Sequence, residues 1–321
     1  MTADDTEQIQ ACLPPDLRGP GTTITRASAG LSGAGVYHVD TPRQKVVLKI
    51  SAASEPIEQW HRKLFIQQHA ASAGVAPRLV HIDETRRATV TEFVVDRSFP
   101  AYLGNPATRG DAVALLGRTL RRTHELPLPP DTEAKDPREF INDIWNQLRN
   151  QFAIPSFAVE AIDGLLAGGP PMAERVVVLS HNDINPSNLV YDGTHLVLVD
   201  WDMAGPNDSY FDLGTASLFF RMNGAECRQL LSAYEGRPVT ELPPRFAYNR
   251  GLSAALCGVM FLHLARMKGH PGATGNETLD STPTLGEFYQ QLRAGAVKLG
   301  AADANWAFAL ALVKAGREMV A

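Results

Sequence analysis

The hydrophobic pattern changes once along this 321-residue chain, and the change limits the folds open to it. Up to residue 95, short runs of β-branched and small residues alternate with glycines and prolines, with a single helical repeat at residues 55–73. From Pro106 onward, apolar residues recur at helical spacing. The sequence therefore predicts an α+β protein, with a small antiparallel-sheet lobe at residues 1–95 and a larger, mostly helical lobe at residues 96–321.

Individual elements are predicted from their local patterns. A short first helix ends at Pro14-Pro15. Strands are predicted within 22–50 and at 79–82, 88–95, 176–179, 189–191 and 196–199. Helices beyond Pro106 are predicted at 112–125, 138–152, 157–167, 213–236, 243–268, 284–299 and 303–320.

Charge and composition narrow the possible partners. The formal net charge is -5 and the basic residues are scattered, so neither nucleic acid nor a membrane is predicted as a partner, and a cationic ligand is favoured. Cys12, Cys227 and Cys257 are far apart and show no CxxC spacing, which predicts reduced thiols. Residues 1–21 lack the pattern of a secretory signal, and the apolar run 251–265 is too short to span a bilayer, so a cytoplasmic location is expected.

One stretch of the chain concentrates polar residues that carry chemistry. His181-Asn182-Asp183 follows an apolar run, Asn188 opens a second run, and Asp200 ends a third. Asp192-Gly193, between the last two runs, predicts a β-hairpin. Its register places Asn188 opposite Val199 and Asp200, so an amide and a carboxylate meet at one end of the hairpin.

This arrangement predicts a divalent-metal site beside a base. Magnesium keeps few protein oxygens when a nucleotide supplies other ligands, so Asn188 and Asp200 are predicted to hold Mg²⁺. Asp183 lies a short loop earlier and is predicted to accept the proton of an attacking hydroxyl group. The structural alternative is a turn in which the same side chains only cap the backbone.

At these residues the chain resembles a known family, the kinase-like small-molecule phosphotransferases, which include aminoglycoside phosphotransferases and choline or ethanolamine kinases. The resemblance rests on the pattern His-Asn-Asp-x-x-x-x-Asn from His181, on Asp200-Trp201-Asp202 and on the segment from Asn207 to Gly214. It looks closest to the choline-kinase-like branch. It implies a two-lobed protein-kinase-like fold, ATP and Mg²⁺ as cofactors, and a hydroxyl group as the acceptor.

The resemblance also implies an ATP site in the first lobe. Residues 28–36 resemble the glycine loop whose backbone covers ATP phosphates, although a glycine-rich hairpin turn would show the same sequence. The last strand of this lobe ends where backbone groups would meet the adenine edge. The implied residues are Gly30, Ser32, Gly33 and Gly35 in the loop, and Glu92 and Val94 at the strand end.

Lys49 is the only lysine centred in an apolar strand, where a buried cation needs an anion beside it. The resemblance implies that the ATP phosphates are that anion; the alternative is an edge-strand lysine that points to water. A helical glutamate is implied as the partner of Lys49. Glu58 is chosen for this role, although Glu55 lies nearby and the helix register also favours Lys63.

The acceptor is predicted to be a small molecule, because only a handful of residues separate Asp202 from Asn207, where a protein kinase carries a long activation loop. Asp202 is a candidate for a second magnesium or an acceptor ammonium group. Trp201 and Tyr210 are candidates for an aromatic face against a quaternary amine, or else for core packing. The last two residues with predicted roles, both of structural support, are His181 and Asp212.

Three functions remain open at this stage. The first is an ATP-dependent kinase for a small, amine-bearing alcohol such as choline or ethanolamine. The second is an antibiotic phosphotransferase of the aminoglycoside type, with a wide acidic cleft to which Glu277, Asp280 and Glu287 would contribute. The third is a non-catalytic nucleotide-binding pseudokinase. The oligomeric state is left open.

Overall fold

A computed structural model of the chain describes residues 3–27, 34–130, 132–134, 136–170 and 176–318. The strands are β1 Thr23–Arg26, β2 Gly35–Asp40, β3 Lys45–Ile50, β4 Leu79–Asp83, β5 Ala88–Glu92, β6 Val177–Ser180, β7 Leu189–Tyr191, β8 Leu196–Leu198 and β9 Gly205–Asp208. The helices are α1 Ala3–Ala11, α2 Ile57–Ser72, α3 Phe99–Gly104, α4 Arg109–His124, α5 Pro137–Arg149, α6 Ser156–Ala167, α7 Ser209–Phe219, α8 Gly224–Glu235, α9 Pro244–Met267, α10 Leu285–Arg293 and α11 Ala302–Glu318.

The first five strands form one antiparallel sheet in the order β1-β2-β3-β5-β4. Val46 and Leu48 of β3 are buried in a core that also contains Leu13 and Leu17, so this face of the sheet is covered by the segment that follows α1. Successive residues of a strand face opposite sides. Lys49 therefore lies on the other face, away from that core. The predicted α+β arrangement, a small antiparallel sheet followed by a helical region, is confirmed.

The helical region is organised around α7 and α9. Nearly every side chain of α7 is buried, because the helix packs between other helices and has no solvent face. The apolar run 251–265 lies within α9, where Leu252, Val259 and Leu262 are buried. Among the residues that the structure describes, no helix is long and apolar enough to cross a membrane.

The predicted single helix 213–236 is wrong, because this segment contains two helices, α7 and α8, with a turn between them. α7 ends at Phe219, and Arg221 takes a left-handed conformation with φ 51°. Asn223 then starts α8 with a capping box, in which its side chain accepts from the backbone of Glu226 while the Glu226 carboxylate accepts from the backbone of Asn223. The sequence reading also missed α3 and β9.

The segment between β5 and α3 is tied to the later part of the chain. The backbone N–H of Arg97 donates to the carbonyl of Tyr191 (2.6 Å), and the backbone N–H of Tyr191 donates to the Asp96 carboxylate (3.1 Å). The predicted division between residues 95 and 96 falls in this segment. The division into two domains itself stays a prediction.

Gly214 sets how closely α7 approaches α9. A Cβ at this position would lie 2.7 Å from the backbone nitrogen of Arg250 and 2.9 Å from its Cα, both on the backbone of α9. We therefore expect Gly214→Ala to lower the free energy of unfolding by roughly 1–3 kcal/mol, because the two helices must move apart. Urea unfolding followed by circular dichroism measures the change.

Gly164 in α6 is the matched control for this prediction. A Cβ there meets no heavy atom of the described residues within 4 Å, apart from the helix's own backbone. Gly164→Ala should raise the free energy of unfolding by about 0.5–1 kcal/mol, because alanine is the better helix former. If both variants change stability by the same amount and sign, the close approach at Gly214 does not limit the packing.

Candidate active site

The predicted hairpin is present and has the predicted register. β7 and β8 pair with Leu189 opposite Leu198, and the Val199 N–H donates to the Asn188 carbonyl at 3.0 Å. Asn188 and Asp200 therefore lie at the same end of the ribbon. Asp200 takes a left-handed conformation (φ 61°, ψ 68°), which ends the strand and begins a 3-10 turn at Trp201–Met203.

Two asparagines hold the carboxylate of Asp183. Asn185 Nδ2 donates to Asp183 Oδ1 at 2.9 Å, and Asn188 Nδ2 donates to Asp183 Oδ2 at 2.7 Å. The Asn188 amide also donates to the Asp183 carbonyl at 3.0 Å. Because the NH₂ group of Asn188 is directed at Asp183, its amide oxygen is left as an acceptor for another ligand.

Asp212 stabilises the loop that carries Asp183 through hydrogen bonds to its backbone. Its side chain has no exposed surface and accepts the backbone N–H groups of His181 (2.6 Å) and Asn182 (2.8 Å). His124 of α4 lies against the same carboxylate, with Nε2 3.1 Å from Oδ2. Burial alone would raise the pKa of Asp212, but these partners outweigh it and the pKa is lowered. Asp212 is thus an ionised buried group, as its predicted supporting role requires.

His181 and Trp201 pack together beneath the loop. His181 is fully buried, its Nε2 lies 3.1 Å from the carbonyl oxygen of Val199, and burial lowers its pKa, so the ring is neutral at pH 7. Trp201 stands edge-on to this ring at 4.8 Å and donates its indole N–H to the Leu198 carbonyl at 3.0 Å. Only 5% of Trp201 is exposed. Of the two predicted roles for Trp201, the structure favours core packing over an aromatic face for the acceptor.

Tyr210 also points into the helical region. Its hydroxyl donates to Glu235 at 3.3 Å, and its ring stands edge-on to Phe246 at a centroid distance of 6.3 Å. Burial raises the pKa of Tyr210. These contacts again favour the packing alternative over a role at an acceptor amine.

Lys49 reaches from the sheet to the carboxylates beyond the hairpin. Its Nζ lies 3.0 Å from Asp200 Oδ1 and 2.7 Å from Asp202 Oδ1. Burial would lower the pKa of Lys49, but the ion pairs with Asp202 and Asp200 outweigh burial and raise it. The alternative of an edge lysine that points to water does not describe this side chain.

The choice of Glu58 as the partner of Lys49 is corrected by the structure. Glu58 is exposed in the first turn of α2 and forms no ion pair with the part of the chain that is described. The side chain of α2 that faces the site is Lys63, whose Nζ lies 2.5 Å from Glu55 and 3.5 Å from Asp202. Burial would raise the pKa of Asp202, but Lys49 and Lys63 together lower it.

The remaining predicted ATP contacts are only partly accounted for. Gly30, Ser32 and Gly33 lie outside the described residues, whereas Gly35 begins β2 opposite Ile50. The backbone N–H of Glu92 donates to the Arg78 carbonyl at 2.9 Å, so this group is not free for adenine. The predicted contact of the Glu92 backbone with adenine, which would then use the carbonyl group, stays a prediction.

Val94 is the better candidate for the adenine edge. It follows the end of β5, and no hydrogen bond engages its backbone N–H or carbonyl within the described ranges. Both groups are therefore available to a ligand, as the prediction for this residue requires.

Two further asparagines, Asn182 and Asn207, support the site although no role is predicted for them from the sequence. Asn182 has φ 63°, and its side chain donates to the Met203 carbonyl at 3.0 Å and accepts from Asn207 at 2.8 Å. These bonds join the Asp183 loop to the segment that follows Asp202. The sequence did carry a signal for Asn182. It directly precedes the candidate base Asp183, and asparagine tolerates a left-handed backbone better than most residues.

The oxygen donors beside Lys49 fit a small hard cation. The amide oxygen of Asn188 and the carboxylates of Asp200 and Asp202 are the ligand types that Mg²⁺ prefers when phosphate oxygens complete its shell. Within the described part of the chain, no group of three or more His, Cys, Asp or Glu side chains gathers into a metal-binding arrangement.

Comparison with known proteins identifies the family. The model of the phosphotransferase enzyme family matches residues 23–248, which run from β1 into α9 and include the candidate catalytic, metal and ATP-binding residues. The chain belongs to this family. The prediction of a phosphotransferase enzyme is thereby confirmed. No protein with a curated description is significantly similar in sequence to this phosphotransferase.

Solved structures show the same fold at low sequence identity. A choline/ethanolamine kinase family protein from Mesorhizobium loti is 19% identical, with a TM-score of 0.61 and coverage of 100% of this chain and 99% of that one. A protein assigned as an aminoglycoside phosphotransferase from Ralstonia eutropha is 14% identical, with a TM-score of 0.66 and 98% of both chains covered. Choline kinase LicA from Streptococcus pneumoniae is 16% identical, with a TM-score of 0.57 and coverage of 77% and 87%. The predicted kinase-like fold is confirmed.

Proposed function

We propose that this phosphotransferase moves the γ-phosphoryl group of ATP to a hydroxyl group of a small, amine-bearing molecule of the choline or ethanolamine type. The observation that carries the proposal is the placement of Asp183. Its carboxylate is held by Asn185 and Asn188, and Asn188 stands at the same hairpin end as Asp200, which faces Lys49. Base, metal donors and phosphate-binding cation are thus attached to one small framework.

Each group then has a defined task. Asp183 accepts the proton of the acceptor hydroxyl, and its two asparagine donors hold the carboxylate in one orientation. Asn188 and Asp200 would hold Mg²⁺, and Asp202 would be available to a second ion. When bound, the metal neutralises charge on the transferred phosphoryl group. Lys49 exchanges its carboxylate partners for phosphate oxygens of ATP.

Support for ATP as the donor comes from the relatives and from the strand end. Choline kinase LicA, 17% identical with a TM-score of 0.57, has been crystallised in complex with AMP. In this chain the free backbone groups of Val94 follow β5 on the path between the sheet and the helices. Paired backbone donors and acceptors of this kind suit the edge of adenine.

The chain after Asp202 supports a small acceptor. The 3-10 turn Trp201–Met203 leads into β9 after a single residue, and β9 leads directly into α7. β9 pairs along its length with β6, so the segment is part of the framework. It offers no extended platform on which a peptide would lie.

The amino alcohol is favoured over an aminoglycoside by the use of the candidate acidic residues. Glu277 accepts from the backbone of Thr274, and Glu287 accepts from Thr284 in the capping box of α10. Two of the three carboxylates considered for a polycation cleft therefore cap their own turn or helix.

A coupled assay for ADP release tests the proposal across acceptor classes. Choline, ethanolamine, related amino alcohols, thiamine-like compounds, aminoglycosides and a macrolide are each offered with ATP and Mg²⁺. We expect turnover above the ATP-only background with amino alcohols. Turnover only with the antibiotics would replace the acceptor class, and ATP binding without turnover on any alcohol would indicate a pseudokinase.

A further inference from the structure

Lys63 is a second cation at the candidate site, and the proposed mechanism leaves it without a task. It projects from α2 toward the 3-10 turn that contains Asp202, and its Nζ lies 2.5 Å from Glu55 and 3.5 Å from Asp202. The Lys63 side chain is only 24% exposed, and the Asp202 side chain only 16%. Pairs that are partly removed from water interact more strongly than pairs on the surface.

Glu55 and Arg87 fix the position of Lys63 on the side away from Asp202. The Glu55 side chain is 9% exposed, and the Arg87 guanidinium donates to the Glu55 backbone carbonyl. Arg87 itself lies just before β5, so the segment leading into α2 is fixed to the sheet. The ammonium group of Lys63 is therefore positioned by Glu55, independently of its contact with the Asp202 carboxylate.

The charges of the cluster explain why a second cation is needed. Asp202 has two cationic neighbours, Lys49 at 2.7 Å and Lys63 at 3.5 Å. Lys49 also serves Asp200 at 3.0 Å. If Lys49 turns to the phosphates of a nucleotide, Asp202 loses its nearer cationic partner, and Lys63 is the remaining lysine that is paired with this largely buried carboxylate.

We propose that Lys63 is a positioning residue that holds the Asp202 carboxylate against α2 when Lys49 engages the nucleotide phosphates. This inference rests on the proposed function, since it requires Lys49 to bind phosphate. Lys63 then fixes the position of the Asp202 carboxylate, and it joins α2 to the 3-10 turn Trp201–Met203. It acts through Asp202 and touches neither acceptor nor transferred phosphoryl group.

Binding of a non-hydrolysable ATP analogue with an imido bridge between the β- and γ-phosphates tests the role without turnover. Isothermal titration at a series of Mg²⁺ concentrations gives the metal concentration for half-maximal nucleotide binding. Lys63→Met should raise that concentration about 10- to 100-fold, the usual cost of losing an outer partner of a metal ligand. Lys63→Arg should restore it to within about threefold, because a cation again faces Asp202.

Two further variants are measured in the same way, the charge reversal Lys63→Glu and the control Arg62→Gln. Lys63→Glu should bind Mg²⁺-nucleotide more weakly than Lys63→Met, because it places a third carboxylate beside Glu55 and Asp202. Arg62 is the exposed neighbour on α2 and is the matched control, expected to behave as the wild type. Melting temperatures of all variants without ligand report whether they fold.

The outcomes separate this inference from the proposed function. If Lys63→Met matches Arg62→Gln, or if Lys63→Glu binds as well as the wild type, the role of Lys63 is refuted. If the wild type binds the Mg²⁺-nucleotide but phosphorylates no acceptor, the proposed function fails while the ranking of the Lys63 variants still decides the inference. A wild type that binds no Mg²⁺-nucleotide refutes both.

Discussion

The Asp183→Asn variant is expected to lose about a thousandfold in kcat, because a positioned general base contributes between a hundredfold and ten-thousandfold to rate. The change keeps the size of the side chain but removes the carboxylate that would accept the hydroxyl proton. Asn185 and Asn188, which now donate to Asp183 Oδ1 and Oδ2, would face an amide at one of these positions. The KM for ATP should stay within about threefold, since Asp183 is not assigned a nucleotide contact.

Steady-state kinetics with the best acceptor from the screen measure this effect. Asp111→Asn is the matched control, because Asp111 is an exposed carboxylate in the first turn of α4. It should retain wild-type kcat. Equal melting temperatures for the two variants would exclude unfolding as the cause of a loss. If Asp183→Asn keeps more than about a tenth of wild-type kcat, Asp183 is not the base.

The sequence predicted the part of the site that lies on and next to the β7–β8 hairpin. Asp183, Asn188 and Asp200 lie within a short stretch, and pairing of Leu189 with Leu198 fixes their relative positions. Strand register is a local property, set here by the Asp192-Gly193 turn and by the alternation of apolar residues. The hairpin end that carries Asn188 and Asp200 could therefore be placed without knowing how the sheet packs against the helical region.

The contacts that the sequence did not predict join residues far apart in the chain. His124 and Asp212 are separated by 88 positions, and Lys49 and Asp200 by 151. Lys49 stands out in the sequence because a lysine inside an apolar strand is unusual, but its carboxylate partners depend on how the first sheet packs against the later part of the chain. Lys63 carries no such signal, because a lysine on a helix surface is ordinary. The choice of Glu58 failed for the same reason, since the rotation of α2 against the sheet decides which side chain faces the site.

The fold shows a similar division between local and long-range information. Strand and helix positions up to β5 followed from periodicity, and the break between α7 and α8 did not. Leu213 to Gly236 reads as one helix because apolar residues continue across it, whereas the chain turns at Arg221 with φ 51°. The turn is stabilised by the Asn223 cap and by packing of both helices on the core, which contains Leu213, Leu230 and Leu231. A capping residue alone does not outweigh a continuous apolar pattern in a sequence reading.

Asp212→Ala is expected to cost about 3–5 kcal/mol of unfolding free energy, because each buried polar group left without its hydrogen-bond partner costs about 1–3 kcal/mol. The fully buried carboxylate accepts from the backbone of His181 and Asn182 and lies against His124. Without it, three buried polar groups lose their partner at once. Urea unfolding at pH 7 measures the loss, with Asp111→Ala as the exposed-carboxylate control, expected within about 0.5 kcal/mol of the wild type.

The pH dependence of that difference tests whether the charge of Asp212 is responsible. The folded-state pKa of Asp212 lies below its ordinary value, because its hydrogen-bond partners outweigh its burial. A carboxylate whose pKa is lowered on folding binds more protons in the unfolded state, so its stabilising contribution is complete above about pH 5 and is lost as the pH falls through the folded pKa. The gap in unfolding free energy between wild type and Asp212→Ala should therefore be constant from pH 5.5 to 7.5, within about 0.5 kcal/mol, and should narrow below about pH 4. A gap that widens on acidification would mean that the neutral carboxyl is the stabilising form and that the ionised Asp212 does not hold the Asp183 loop.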